Sequence, residues 1–350
     1  MSVTAVNDNH CNENVVGRYN PGVKSPTKLT LFLLSAGVVS AQQIPDPNFD
    51  AAVTRPTYTT THPSVAIDQG HDNFHTKDGL FKPFADLLRN DGYTVVANTA
   101  KFTSVSLESI DVLVISNAIG KLENDNNNST PAFTKPECDA VYDWVQRGGS
   151  LFLIADHAPM GDAAALLAER FGVTLGNGFV FDTNPDNFAD KDPTELVFSD
   201  HNHLLDSNPI TRGRNGIERL HRLVAFTGES VTIPRGAVAI LRLSPTVGEV
   251  HTREGVQPLY DDDAIKAKAN LEAAARQWPI VGRAMAVAFK VGRGRVVVSG
   301  EAGMLTAQVF KEKDKDGTEK FVGKTGMSVP GNDDKQYVLN VLHWLSGVLK

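Results

Sequence analysis

Residues 149–172, GSLFLIADHAPMGDAAALLAERFG, constrain the fold more than any other stretch of this chain. Leu151 to Ala155 form a short apolar run after the Gly148-Gly149 pair, the pattern of a strand covered on both faces. The run stops at Asp156-His157, and Pro159 and Gly161 break the backbone. Asp162 is placed to cap a following helix, whose buried face is read as Ala165, Leu166, Ala168 and Phe171 and which Gly172 closes. A buried strand feeding directly into a helix belongs to a parallel sheet flanked by helices. In such sheets ligands bind outside the carboxyl ends of the strands, so Asp156, His157 and Asp162 fall where chemistry is done.

The remaining chain repeats this grammar. SVAID, residues 64–68, reads as a first core strand ending in Gln69-Gly70-His71-Asp72-Asn73-Phe74-His75. Leu80, Phe81, Phe84, Leu87 and Leu88 then recur at helical spacing until Asp91-Gly92. Residues 93–97 and 111–116 read as further strands, the second ending in Asn117. Residues 123–132 read as an Asn-rich loop. Thr134 and Glu137 form a capping box that opens a helix through Val145, with Gly148 as its stop. The second half is less regular. Residues 176–221 read as a polar excursion, 237–243 as a strand, and 261–278 as holding an Ala-rich helix. Residues 284–290 and 295–299 read as a hairpin about Gly292-Arg293-Gly294 that delivers Gly300-Glu301 at its far end. Residues 334–349 close the chain as an amphipathic helix with Tyr337, Val338, Val341, Leu342 and Leu345 inward. The expected class is α/β: a doubly wound, mainly parallel sheet with helices on both faces and an irregular second-half insertion.

Domain and compartment follow from the N-terminal third. Lys24 and Lys28 precede LTLFLLSAGVV, residues 29–39, and then Ser40-Ala41. This is the layout of an export signal cleaved after Ala41, with an apolar run too short to span a bilayer. The expected organisation is an extension and signal over 1–41, a Pro- and Thr-rich linker over 42–63, and one α/β domain over 64–350. That makes the mature protein secreted or periplasmic, without a membrane span. A formal net charge of -7 argues against a nucleic-acid partner and leaves a small molecule as the expected one. Cys11 and Cys138 are the only cysteines of the sequence, so a disulfide scaffold and a thiolate zinc site are not expected. Oligomeric state is not legible.

Three stretches together resemble a known family: DVLVISN at 111–117, TKPECDAVYDWVQRGGSLFLIADH at 134–157, and NPITRG at 208–213. With the closing helix carrying Asn340 and Trp344, the chain resembles the class I glutamine-amidotransferase-like superfamily, and within it the trehalose-utilisation-like branch. The resemblance implies a flavodoxin-like fold over residues 64–350. In true amidotransferases the strand-to-helix turn carries a nucleophilic cysteine. Here that turn carries Asp156 and His157, and Cys138 lies in the preceding helix, so glutaminase chemistry is not expected.

The polar groups at the expected strand ends are His71, Asp72, Asn73, His75, Asn117, Asp156, His157, Asp162 and Glu301. No GxSxG elbow and no dinucleotide fingerprint is present, so water is the expected nucleophile. Asp156, His157, His71 and Glu301 are the candidate catalytic residues, and the same four are candidate ligands for a divalent ion such as Zn or Ca. Asn73, Asn117, Asp162 and His75 are candidate substrate contacts. The expectation is an exported hydrolase that activates water with the help of a divalent metal ion and acts on a small ester or lactone, less readily an amide. The alternative is a non-catalytic module that binds a sugar, another small ligand or a protein. Two weaker metal patterns are Asp200-His201-Asn202-His203 with Asp206, and the half calcium loop at Glu312, Asp314, Asp316 and Gly317.

Overall fold

A computed structural model describes residues 42–123, 127–260, 263–313 and 318–350. The signal, Cys11 and three residues of the half calcium loop lie outside these. Seven strands form the central sheet: β1 (Ser64–Asp68), β2 (Thr94–Asn98), β3 (Val112–Ser116), β4 (Ser150–Ile154), β5 (Val238–Arg242), β6 (Ala284–Val291) and β7 (Gly294–Ser299). Their spatial order is β5-β6-β7-β4-β3-β1-β2. From β7 to β2 all neighbours are parallel, and β6 is antiparallel to both β5 and β7. This is the α/β, mainly parallel, flavodoxin-like architecture that the sequence predicts.

Strand alternation divides the core into two layers. Val65, Ile67, Val114 and Phe152 face one side, where helices α1 (Lys82–Asn90) and α5 (Asp334–Leu345) bring Phe84, Leu87, Tyr337, Val338 and Val341. Ala66, Leu113, Leu151 and Leu153 face the other, against Val141 and Val145 of α2 (Lys135–Gln146) and Leu167 and Ala168 of α3 (Met160–Arg170). A fifth helix, α4 (Ala264–Gln277), packs Ala274 in a separate small cluster with Phe179, Phe181 and Val250. Every residue of β4 is buried, as expected of a central strand.

Three expectations need correction. Helix α3 starts at Met160, so Asp162 lies in its first turn and caps nothing. Its buried face is Ala163, Ala164, Leu167, Ala168 and Phe171, while Ala165 and Leu166 are half-buried. Alanine is too small to mark a face, and adjacent leucines leave the phase ambiguous. The segment 42–63 is not a free linker. Gln42–Pro45 pairs with Ala307–Lys313, which in turn pairs with Glu319–Gly326. Phe49, Val53 and Tyr58 then pack on the core, partners that only the folded chain supplies. Two strands of the polar excursion find partners beyond it: Phe179–Asp182 pairs with Val247–Val250, and Val197–Ser199 with Arg222–Val224. Strands of three or four residues are too short to show a period.

Candidate functional site

The carboxyl ends of β1, β3, β4 and β7 lie along one edge of the sheet. Strand order reverses between β1 and β3, where a crevice is expected. In this chain His71 fills it. Its Nδ1 lies 2.8 Å from Asp68 Oδ2 and its Nε2 2.9 Å from Glu137 Oε1. Its ring packs between Phe102 and Phe133, at 4.5 and 4.8 Å between centroids. Carboxylates only accept, so both nitrogens donate and the ring is an imidazolium. Burial opposes that charge, but Asp68 and Glu137 outweigh it and hold the histidine above its usual range. Burial likewise works against Glu137, yet bonds from His71 and Thr134 bring its carboxyl down to about 2. His71 therefore braces the β1 turn to the start of α2 and has no atom left for substrate or metal.

The neighbouring candidates are structural too. Asn73 accepts from His71 N and donates to Ser116 O. His75 stacks on Phe81 at 4.7 Å, with its Nδ1 2.9 Å from Ser116 Oγ, and burial depresses it to about 3, keeping it neutral. Asn117 takes a φ of 47°, and its Oδ1 accepts from Asp156 N at 3.0 Å. Asp162 accepts from Ser129, and burial raises its carboxyl.

Open chemistry lies one strand over, at the end of β4. Asp156 and His157 are both half-buried. Asp156 Oδ1 accepts from His157 N at 2.8 Å. Burial raises the Asp156 carboxyl, against the pull of His157 and the Ala302 amide. The His157 ring stacks on Phe179 at 4.7 Å, and its Nδ1 lies 2.9 Å from Ala158 O. A carbonyl accepts only, so Nδ1 carries the hydrogen. Nε2 is then the nitrogen left to accept or donate, and no partner is recorded for it among the described residues.

Beneath this turn the structure gathers the candidate Glu301 with three carboxyls that the sequence reading missed, Glu229, Glu249 and Asp334. Glu301 is fully buried and accepts from Met304 N at 2.9 Å and Phe226 N at 3.3 Å. Burial and the Asp156 charge push it well above its usual range. Glu229 and Glu249 are also buried and raised by burial, and so is Asp334 at the start of α5. Glu301 was among the sequence candidates, and Glu229 and Glu249 share its local context. Glu229, Glu249 and Glu301 each follow a glycine, and these are the only Gly-Glu dipeptides in the chain.

The proposed metal ligands do not fit an ion. Both His71 nitrogens are engaged, and Glu301 accepts backbone N–H groups. Among the described residues no three His, Cys, Asp or Glu side chains are grouped to hold one. In the second metal pattern His201 and His203 are exposed, Asp200 pairs with His221 at 2.9 Å, and Asp206 pairs with Arg242. Cys138 is buried in α2, where burial pushes its thiol up to about 11, so it is no nucleophile.

No protein family and no curated protein matches the sequence. Among solved structures, the chain superposes on the mmIFT52 N-terminal domain with a TM-score of 0.53 at 14% identity, over 81% of this chain and 97% of that one. A ThuA-like protein from Bacteroides uniformis matches at a TM-score of 0.39 and 15% identity, over 86% of this chain and 94% of that one. A GMP synthase protein from Thermoplasma acidophilum matches at 0.37 and 8%, over 83% and 96%. The first likeness shows a shared fold and says nothing of chemistry. The other two superpose too loosely to carry an argument.

Proposed function

We propose that this protein is a hydrolase that uses water as its nucleophile on a small ester or lactone. The observation that carries the reading is the His157 Nε2, without a partner among the described residues, with Nδ1 tied to Ala158 O and the Asp156 carboxyl alongside. Nε2 takes a proton from water while the water oxygen attacks the substrate carbonyl carbon. The carbonyl electrons move to oxygen, return as the C–O bond breaks, and the leaving alkoxide takes the proton back from His157. Ionised Asp156 stabilises the imidazolium between these steps. An amide suits the site less, because its amine must be protonated before it leaves. No step is routed through a metal. On the motifs at 111–117, 134–157 and 208–213 we place the chain with the trehalose-utilisation-like branch of the amidotransferase-like superfamily. The apolar stretch 29–39 ahead of Ala41 supports export. Among the described residues no helix is long and apolar enough to cross a membrane.

The test is a panel of esters, lactones and amides, with and without a chelator. Wild type is expected to turn over an ester or lactone. His157→Ala is expected to lose about 10²–10⁴-fold in rate with a melting temperature close to wild type. No turnover of any substrate would favour the second reading, a ligand-binding module. That reading draws on His71 and Glu301, two of the four catalytic candidates, whose polar atoms brace the fold instead. Thermal-shift screening with sugars would then follow.

A further inference from the structure

Glu229 and Glu249 lie behind the catalytic turn and take no part in the proposed reaction. They are 0% and 1% exposed. Glu229 Oε2 accepts from Asn177 N, while its Oε1 has no partner among the described residues. Glu249 accepts from Ser230 N at 3.0 Å and from Ser230 Oγ at 2.5 Å. Glycine makes the room. A Cβ on Gly161 would run into Glu229 Oε2, and one on Gly176 into the Glu249 carboxylate.

Asn177 connects this cage to the turn. Held at a φ of 49°, it accepts through Oδ1 from Asp162 N at 3.1 Å and donates through Nδ2 to Asn127 O at 3.2 Å. Gly178 O accepts from Ala158 N at 3.1 Å, and Phe179 carries the stacked His157 ring. The residues after Asn177 thus set where His157 sits, and Glu229 holds Asn177.

We propose that Glu229 is a positioning residue for His157: uncharged, it holds residues 176–178 beneath the catalytic turn, and its ionisation loosens them. This deepens the hydrolase reading and rests on it for its effect on rate. The groups facing Glu229 are Glu249, Asp156 and Arg283, and Glu301 packs against the adjoining Gly228. Glu249 in turn faces Arg283 and His251. Arg283 does not neutralise the pair by contact, since its Nη2 donates to Thr174 O and Ser230 O. Burial first, then Glu249, pushes the Glu229 carboxyl well above its usual range. Once ionised, it is a buried charge with one recorded hydrogen bond and a carboxyl facing it. Such a charge draws in water, and the way in is outward movement of the 176–178 loop.

The experiment compares full-length wild type with Glu229→Gln between pH 6 and 9. Three readouts apply: the NMR signals of the His157 ring, the melting temperature, and kcat/KM on the best ester or lactone. In wild type the His157 signals move and the melting temperature falls as pH rises, and kcat/KM drops by about tenfold per pH unit beyond the transition. Glu229→Gln, which cannot ionise, lacks the movement of His157 and the alkaline fall in rate. The same alkaline changes in wild type and variant would overturn the proposal. Should the variant not fold, Glu249→Gln decides: loss of the facing charge moves the His157 transition to lower pH, and an unmoved transition overturns the idea. If no substrate is turned over, the hydrolase reading fails while NMR and melting still judge Glu229.

Discussion

Both ring nitrogens of His71 are held by carboxylates, whereas His157 has one nitrogen on a carbonyl and the other without a recorded partner. From sequence the two looked alike, each a histidine after an apolar strand. Mutation separates them. His71→Ala leaves the carboxylates of Asp68 and Glu137 facing each other without the cation between them, and breaking such a buried pair costs about 3–5 kcal/mol; urea denaturation will read it. The His71 contribution is fully present below the unfolded histidine value, near pH 6.5, and is lost as pH rises through its raised folded value. Asp156→Asn tests the other site. A carboxylate beside a forming imidazolium is worth roughly 1–4 kcal/mol, so kcat is expected to fall by about tenfold to a thousandfold with little change in melting temperature. Full activity in Asp156→Asn would leave that carboxyl with a structural role alone.

At the scale of elements, the block from Thr134 to β4 was the most legible part of the chain. The Glu137 carboxylate accepts from Thr134 N at 2.9 Å and from Thr134 Oγ1 at 2.7 Å, as the TKPE spacing predicts. Gly148, at a φ of 120°, ends the helix as read. What spacing does not show is that the other Glu137 oxygen reaches His71, 66 residues away. Thr134→Ala is therefore expected to lose about 0.5–2 kcal/mol as a cap and also to weaken the His71 brace. Combined with His71→Ala it should cost less than the sum of the two single changes. Strict additivity in a double-mutant cycle would show the cap and the brace to be independent. Helix α3 was less legible, because alanines dominate its sequence and leave its buried face to be fixed by the sheet it lands on.

The whole molecule carries several buried carboxyls with raised values: Glu229, Glu249, Glu301 and Asp334, each through burial first. A carboxyl raised on folding adds stability that is full below its unfolded value, near 4, and is lost as pH rises through the folded value. Glu137, held down at about 2, works in the opposite sense and loses its contribution as pH falls toward that value. The melting temperature is therefore expected to peak in mild acid, about pH 5, and to fall toward pH 9. A flat or rising profile over that range in scanning fluorimetry would contradict the burial of these groups. Sequence alone determined the strand and helix alternation, the parallel sheet and the polar turns at its carboxyl edge, because period and turn chemistry are local properties. It also placed Asp156 and His157 at the mouth of a strand. Only the tertiary structure decided that His71 is a sealed ion pair, that residues 42–58 pack on the domain, and that three Gly-Glu dipeptides put their carboxyls beneath one turn. Those outcomes depend on which groups distant in sequence share a volume closed to water, and no local pattern encodes that.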